Sequence, residues 1–170
     1  MLINGKELDI HSLTNLFRED LSGVDLHCSD LSFANLSQSD LSNTNLHHSD
    51  LYRANLSHAN LSNTIFYCAD LSHADLSDSN VFGADFTGAN LSHANLLGTS
   101  LIDMRRIDGY RFIGWIKNGI LQINAGCRNF SIERARIHWS RTRAGTSLGD
   151  ETFAILDYME SVVKIRGLTF

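Results

Sequence analysis

The chain has 170 residues, a formal net charge of −5, three cysteines and no proline, which is room for one modest domain or two small ones. No apolar run is long enough to cross a bilayer as a helix, and the opening Met1-Leu-Ile-Asn-Gly-Lys-Glu-Leu lacks the basic and apolar regions of a secretory signal, so a cytoplasmic protein is expected. The charge is unevenly spread: residues 1–101 hold twelve acids against three bases (−9), and residues 102–170 hold eleven bases against seven acids (+4).

Residues 1–14 come first. Asn4-Gly5, set between Leu2-Ile3 and Lys6-Glu7-Leu8, is a hairpin signal. A hairpin there is expected to cap the segment that follows.

From Leu16 to Leu101 every fifth residue is large and apolar: Leu throughout, except Phe66, Val81 and Phe86. Two positions earlier stands a small residue, such as Ala34, Ala54 or Ala74, with Glu19 and Val24 as exceptions. The residue just before each centre is Asp or Asn, except Ile65 and Ser100. A period of five suits neither standard element. In an α-helix the centres would spiral around the axis, and in a strand an odd step would throw alternate centres to opposite faces. A chain that turns once per repeat can aim every centre at one axis. Asn and Asp suit the turn because their side chains bond nearby backbone. The expected product is a solenoid of stacked coils over residues 15–106, with backbone pairing between coils.

Ala-Asn-Leu-Ser-His at 54–58 and Ala-Asp-Leu-Ser-His at 69–73 resemble the unit of the pentapeptide-repeat family. The resemblance implies a mainly β fold, a right-handed quadrilateral β-helix with four pentapeptides to a coil. It also implies the possibility of DNA mimicry, because the family includes DNA-mimicking proteins that bind DNA gyrase. At about 4.8 Å per coil the rod would be roughly 20 Å long.

Twenty residues per coil then predicts columns. Leu26, Leu46, Phe66 and Phe86 stack inside, and the change from Leu to Phe, with Ile65 in the Asp/Asn slot, predicts a local irregularity near residue 66. Outside, Asp30, Asp50 and Asp70 precede Asn90, and Asp20 and Asp40 precede Asn60 and Asn80. These five aspartates are the candidate partner-binding residues. Either they form an anionic binding surface, or the slot takes Asp for turn bonding and the charge is incidental. Arg53, His73 and His93 form a candidate anion-binding column, with two solvated neutral imidazoles as the alternative. Cys28, His48 and Cys68 align too, but two coils separate the cysteines by about 9.6 Å. Two thiolates on one zinc need sulfurs near 4 Å, given Zn–S bonds of about 2.3 Å, so no metal site or cofactor is expected. The cysteines read as reduced thiols.

After Leu101 the period stops. Residues 107–170 read as a small α+β domain. Tyr110–Ile116 and Ile120–Asn124 form a hairpin across Lys117-Asn118-Gly119, with Tyr110, Phe112 and Gly114 on one face. Ser131 caps a helix from Ile132 to about Trp139, and after a polar loop at Ser140–Gly149, Asp150 caps a second helix ending at Gly167. The apolar stripe of that helix, Phe153, Leu156, Met159 and Val163, either covers its own hairpin or joins a homodimer. The segment Ala125–Trp139 resembles a small tail domain of phage and prophage proteins. Cys127, Arg128 and His138 suggest a thiol with its base, but no third orienting residue stands out and no catalytic constellation emerges.

The sequence therefore points to a non-enzymatic binding protein whose acidic rod mimics DNA toward a partner such as DNA gyrase. Two alternatives stand beside it. One is an adaptor with a basic C-terminal binding domain, and the other is capture of a phosphorylated signalling ligand in phage counter-defence.

Overall fold

The computed structural model describes residues 2–3, 6–7, 15–117, 120–125 and 128–167. The chain divides into two units, Met1–Ser100 and Leu101–Phe170.

The first unit opens with β1 (Leu2–Ile3) and β2 (Lys6–Glu7), paired antiparallel with Leu2 opposite Glu7 and Ile3 opposite Lys6. This is the pairing that the Asn4-Gly5 signal predicts. The turn itself and residues 8–14 lie outside the described residues, and so does the expected capping role.

From Asn15 the backbone makes a ladder of parallel bridges between residues twenty apart, running from Asn15↔Asn35 to Asp75↔Asn95. Each coil therefore holds four pentapeptides. The unit centred on Leu31 shows the pattern. Leu31 N donates to Asp50 O (2.7 Å) and Phe33 N to Tyr52 O (2.8 Å), while Asp50 N donates back to Ser29 O (2.9 Å). Ala34 N closes the turn onto Leu31 O at 3.1 Å.

The turn demands a special residue. Every residue two beyond a centre, from Arg18 to Gly98, has positive φ; four are glycine and thirteen are not. The left-handed region costs an ordinary L-residue about 1–2 kcal/mol, and the inter-coil hydrogen bonds at each corner offset it. The glycines also allow close approach: a Cβ on Gly88 would lie 2.8 Å from Cys68 Sγ in the coil before it.

The interior follows the five-residue period. The seventeen centres of this unit, Leu16 to Leu96, are all buried, none more than 8% exposed, and each contributes about 1.5–3 kcal/mol of burial. The alanines at Ala34, Ala54, Ala74 and their equivalents fill the space beside them. Where a hydroxyl takes that place it is satisfied: Thr44 Oγ1 donates to Leu21 O (2.8 Å), Ser49 Oγ to Leu26 O (2.8 Å) and Thr64 Oγ1 to Leu41 O (2.7 Å). The predicted irregularity near residue 66 does not occur. Ile65 keeps its bridges to Asn45 and Asp85 because the ladder uses backbone alone. Phe66 and Phe86 stack in the interior, and Val81, one unit before Phe86, is the smallest centre.

The second unit is a four-stranded antiparallel sheet in the order β3-β4-β5-β6, with two helices. The strands are β3 (Ile102–Arg105), β4 (Arg111–Lys117), β5 (Ile120–Ala125) and β6 (Arg128–Ser131); the helices are α1 (Ile132–Arg143) and α2 (Ser147–Ile165). The predicted boundary at 106/107 is corrected to Ser100/Leu101, because Ile102–Arg105 pair residue for residue with Gly114–Arg111 of β4. The predicted one-sided pattern of the first hairpin strand is also corrected. Phe112, Ile113, Gly114 and Trp115 are all buried, so β4 is covered on both faces.

Ser131 caps α1 as expected, its hydroxyl accepting from Arg134 N. The second helix starts earlier than the expected Asp150: Thr146 is the cap, with Oγ1 accepting from Gly149 N at 3.0 Å. α2 buries Ile155, Leu156, Met159 and Val163 in a cluster with Phe112, Leu121, Ile123 and Trp139. Its apolar stripe thus covers its own sheet.

Candidate functional site

Each face of the coil carries one column of Asp/Asn slots. Asp30, Asp50, Asp70 and Asn90 are bridged in succession, as are Asp20, Asp40, Asn60 and Asn80. Both predicted columns are present. They sit ten residues, or half a coil, apart, so the four-sided coil places them on opposite faces. The five candidate aspartates do not form one surface; Asp30, Asp50 and Asp70 do.

The slot works as a local turn device. Asp30 Oδ1 accepts from Ser32 N (3.0 Å) and Ser32 Oγ (2.6 Å), Asp50 Oδ1 from Tyr52 N (2.8 Å), and Asp70 Oδ1 from Ser72 N (2.9 Å). Among the described residues nothing hydrogen-bonds to the second oxygen of these three carboxylates. The Ser32 hydroxyl, then its backbone N–H, holds the Asp30 carboxyl below the usual range. At Asp40, partial burial pushes upward, and bonds from Ser42 and Asn60 outweigh it, so the net shift is downward.

Where Asn follows Asp in a column the two side chains bond between coils. Asn90 Nδ2 donates to Asp70 Oδ1 (3.0 Å), Asn60 to Asp40 (3.1 Å), Asn45 to Asp25 (2.9 Å) and Asn95 to Asp75 (2.9 Å). Between Asp30, Asp50 and Asp70 no such rung can form, because an ionised carboxylate only accepts. Three like charges therefore stack at about 4.8 Å, the spacing of adjacent strands.

Arg53, His73 and His93 share pentapeptides with that acidic column, three positions after Asp50, Asp70 and Asn90. Phe33 begins their corner. The Arg53 guanidinium lies 5.3 Å from the Tyr52 ring centroid and 6.0 Å from that of Phe33, and the His73 and His93 rings stack at 4.8 Å. The corner is an aromatic and imidazole ladder beside carboxylates. An anion approaching it meets Asp30, Asp50 and Asp70 in the same units.

A second cluster escaped the sequence reading. His27 Nδ1 bonds Asp25 Oδ1 at 2.9 Å, which lowers the Asp25 pKa; His27 stacks on His47 at 6.1 Å; and His47 meets His48 at 4.4 Å. The signal was available, since positions 27, 47 and 67 follow their centres by one and stand twenty apart. Cys28 and Cys68 share the adjoining corner column with His48. Cys127 lies outside the described residues, so its relation to His138 does too. His138 itself stacks on Phe130 at 5.1 Å.

No helix of the structure is long and apolar enough to cross a membrane. A family model described as pentapeptide repeats matches over residues 14–43, 29–66, 44–81 and 69–103, together more than half of the chain. Among solved structures, the chain is similar to a pentapeptide repeat protein of the Arabidopsis thaliana thylakoid lumen at 18% identity, covering 89% of this chain and 97% of that one with a TM-score of 0.54. That likeness shows the fold. It is also similar to the pentapeptide repeat protein Rfr23 of the cyanobacterium Cyanothece 51142, at 31% identity over 51% of this chain and 56% of that one, TM-score 0.48. A third similarity is to QnrB1, a plasmid-mediated fluoroquinolone resistance protein, at 25% identity over 55% of this chain and 46% of that one, TM-score 0.48. The chain thus spans about half the length of the latter two. No match was found among curated proteins. The twenty-residue coil, the left-handed corner in every unit and the family match over residues 14–103 give one conclusion: the chain belongs to the pentapeptide-repeat family.

Proposed function

We propose that the protein is a non-enzymatic binding protein whose acidic β-helix stands in for the DNA backbone toward a DNA-handling protein. The observation that carries this reading is the column of Asp30, Asp50 and Asp70, three carboxylates on successive coils, each holding its turn with one oxygen and presenting the other. Charge density supports it. Residues 15–101 hold ten acids and two bases, net −8, which over roughly 20 Å is about one charge per 2.5 Å, against about one per 1.7 Å of duplex DNA. DNA gyrase is the first partner to test, because the family resemblance implies it. A phage source belongs to the same proposal. Two copies joined through their C-terminal units would lengthen the acidic surface, and such a joint would use faces other than the internal stripe of α2.

The test is gyrase supercoiling with wild type and with the Asp30→Asn, Asp50→Asn, Asp70→Asn triple variant. Asn keeps the turn bond and removes the charge. Wild type is expected to inhibit at micromolar concentration, less so as salt rises, and the triple variant to lose inhibition. Untouched supercoiling, or equal inhibition by the folded triple variant, refutes the reading. The second reading, an adaptor whose basic C-terminal unit makes the binding contact, is favoured by the arginines of α1.

A further inference from the structure

The second unit treats its arginines in two ways. Arg136 of α1 is neutralised by Asp157 (2.6 Å) and Glu160 (2.5 Å) of α2, and Arg106 is held by Asp108 and by Thr152 Oγ1 at 3.1 Å. Arg128 and Arg143 have no acidic partner among the described residues. Both line one cleft of about 230 Å³, together with the acid-held Arg106 and with Tyr110, His138 and Thr142.

The contact between Arg128 and His138 shows what the cleft is ready to bind. Arg128 Nη1 lies 3.1 Å from His138 Nε2. A guanidinium only donates, so Nε2 accepts and carries no proton in this contact. The guanidinium is thus satisfied by a neutral nitrogen where a charged oxygen would serve better, since charge-assisted and bidentate bonds are roughly twice as strong as neutral ones. The imidazole is held in place by Phe130, stacked at 5.1 Å, and by the edge of Trp139 at 5.3 Å. Two guanidinium groups without an acidic partner among the described residues thus line one cleft with an oriented imidazole, a set of groups that suits a small multiply charged anion.

A second cleft, of about 400 Å³, adjoins the first and shares His138 and Thr142 with it. Its walls include Phe130 and Ile137, with Arg134 and Arg141 at the same cleft. Ile137 is half exposed at 51%. The first cleft is smaller than the roughly 300–1,000 Å³ of pockets that enclose a whole drug-sized ligand. It suits a phosphate group, and the second suits a planar organic part lying against Phe130 and Ile137.

We propose that the C-terminal unit binds a phosphomonoester of the nucleoside monophosphate class, with its phosphate between Arg128 and Arg143 and its base in the neighbouring cleft. This site is independent of the acidic face of the β-helix.

The experiment is calorimetric titration of the full chain with adenosine 5′-monophosphate, adenosine and inorganic phosphate. The monophosphate is expected to bind with a Kd of about 1 mM or tighter, phosphate more weakly, and adenosine least. Arg128→Ala and Arg143→Ala should each weaken the monophosphate by about tenfold, the worth of one bond to a charged group. An Arg105→Ala, Lys164→Ala double variant removes two positive charges outside both clefts and should bind as wild type does. Binding weakened equally by that control, adenosine binding as tightly as its monophosphate, or no binding of the monophosphate would each overturn the site. Phosphate binding as tightly as the monophosphate would overturn the base cleft.

Discussion

Phe66 and Phe86 stand one coil apart inside the β-helix with ring centroids 5.1 Å apart and planes 9° from parallel. Both are fully buried, and Leu26 and Leu46 continue the column through the two preceding coils. The column accepts either side chain as long as it stays filled. Phe66→Leu, which loses the ring stack but keeps most of the column filled, should therefore cost clearly less than Phe66→Ala, which should cost about 3–5 kcal/mol. Leu56→Asp, which buries a charge in a packed column, should unfold the rod, while Ser57→Ala leaves it folded. Circular dichroism with urea titration measures all four. A harmless Leu56→Asp would mean that the register is wrong.

Gly88 offers a sharper test of the corner. At Gly23 (φ +68) an added Cβ meets nothing within 4 Å, so Gly23→Ala should cost only the left-handed strain, about 1–2 kcal/mol. Gly88→Ala should cost more, because Cys68 Sγ must move. In a Cys68→Ala background the excess should vanish, which a double-mutant cycle in denaturant reads directly.

The acidic column should be a stability liability. Asp50→Asn removes the middle charge and gives Nδ2 a rung to make, as Asn90 does to Asp70 at 3.0 Å. The melting temperature of the rod is expected to rise by about 2–4 °C at low ionic strength, and the gain should shrink in high salt as screening sets in. A fall in melting temperature would show that the three carboxylates do not repel appreciably. Surfaces kept at the expense of stability are characteristic of binding sites.

Acid should loosen the C-terminal unit through Asp108. The Arg106 guanidinium holds its carboxyl down at about 2, against an ordinary value of 3.8. A folded-state pKa below the unfolded one means that the contribution is complete above the ordinary value and is lost as pH falls from 3.8 through about 2. Asp108→Asn should flatten that part of the stability profile, monitored by tryptophan fluorescence of Trp115 and Trp139.

The β-helix was legible because its period of five excludes both other elements, and because twenty residues per coil turns sequence spacing into columns. The same arithmetic put Asp30, Asp50 and Asp70 together. What it lacked was the step from column to face, so Asp20 and Asp40 were grouped with residues half a coil away. The second unit was harder to read. Ile102–Arg105 looks like the tail of the repeat until its partner strand is known, and Thr146 precedes Ser147-Leu-Gly, whose glycine weakens any helical pattern. The cleft of Arg128 and Arg143 joins a strand and a helix end fifteen residues apart, and no periodicity announces it.

The twenty-residue ladder has a consequence for how such a chain can change length. Removing residues 46–65 would join Asn45 to Phe66, and every later residue would drop into the column it already occupied, one coil lower. Duplicating the same stretch would raise it by one. A change of one or two residues would instead rotate the side chains out of their columns and bury a corner residue. The rod is therefore a measuring stick graduated in single coils. Its charge, reach and number of carboxylate rows can grow or shrink by whole marks through duplication and loss of one gene segment, with each intermediate length still a folded protein.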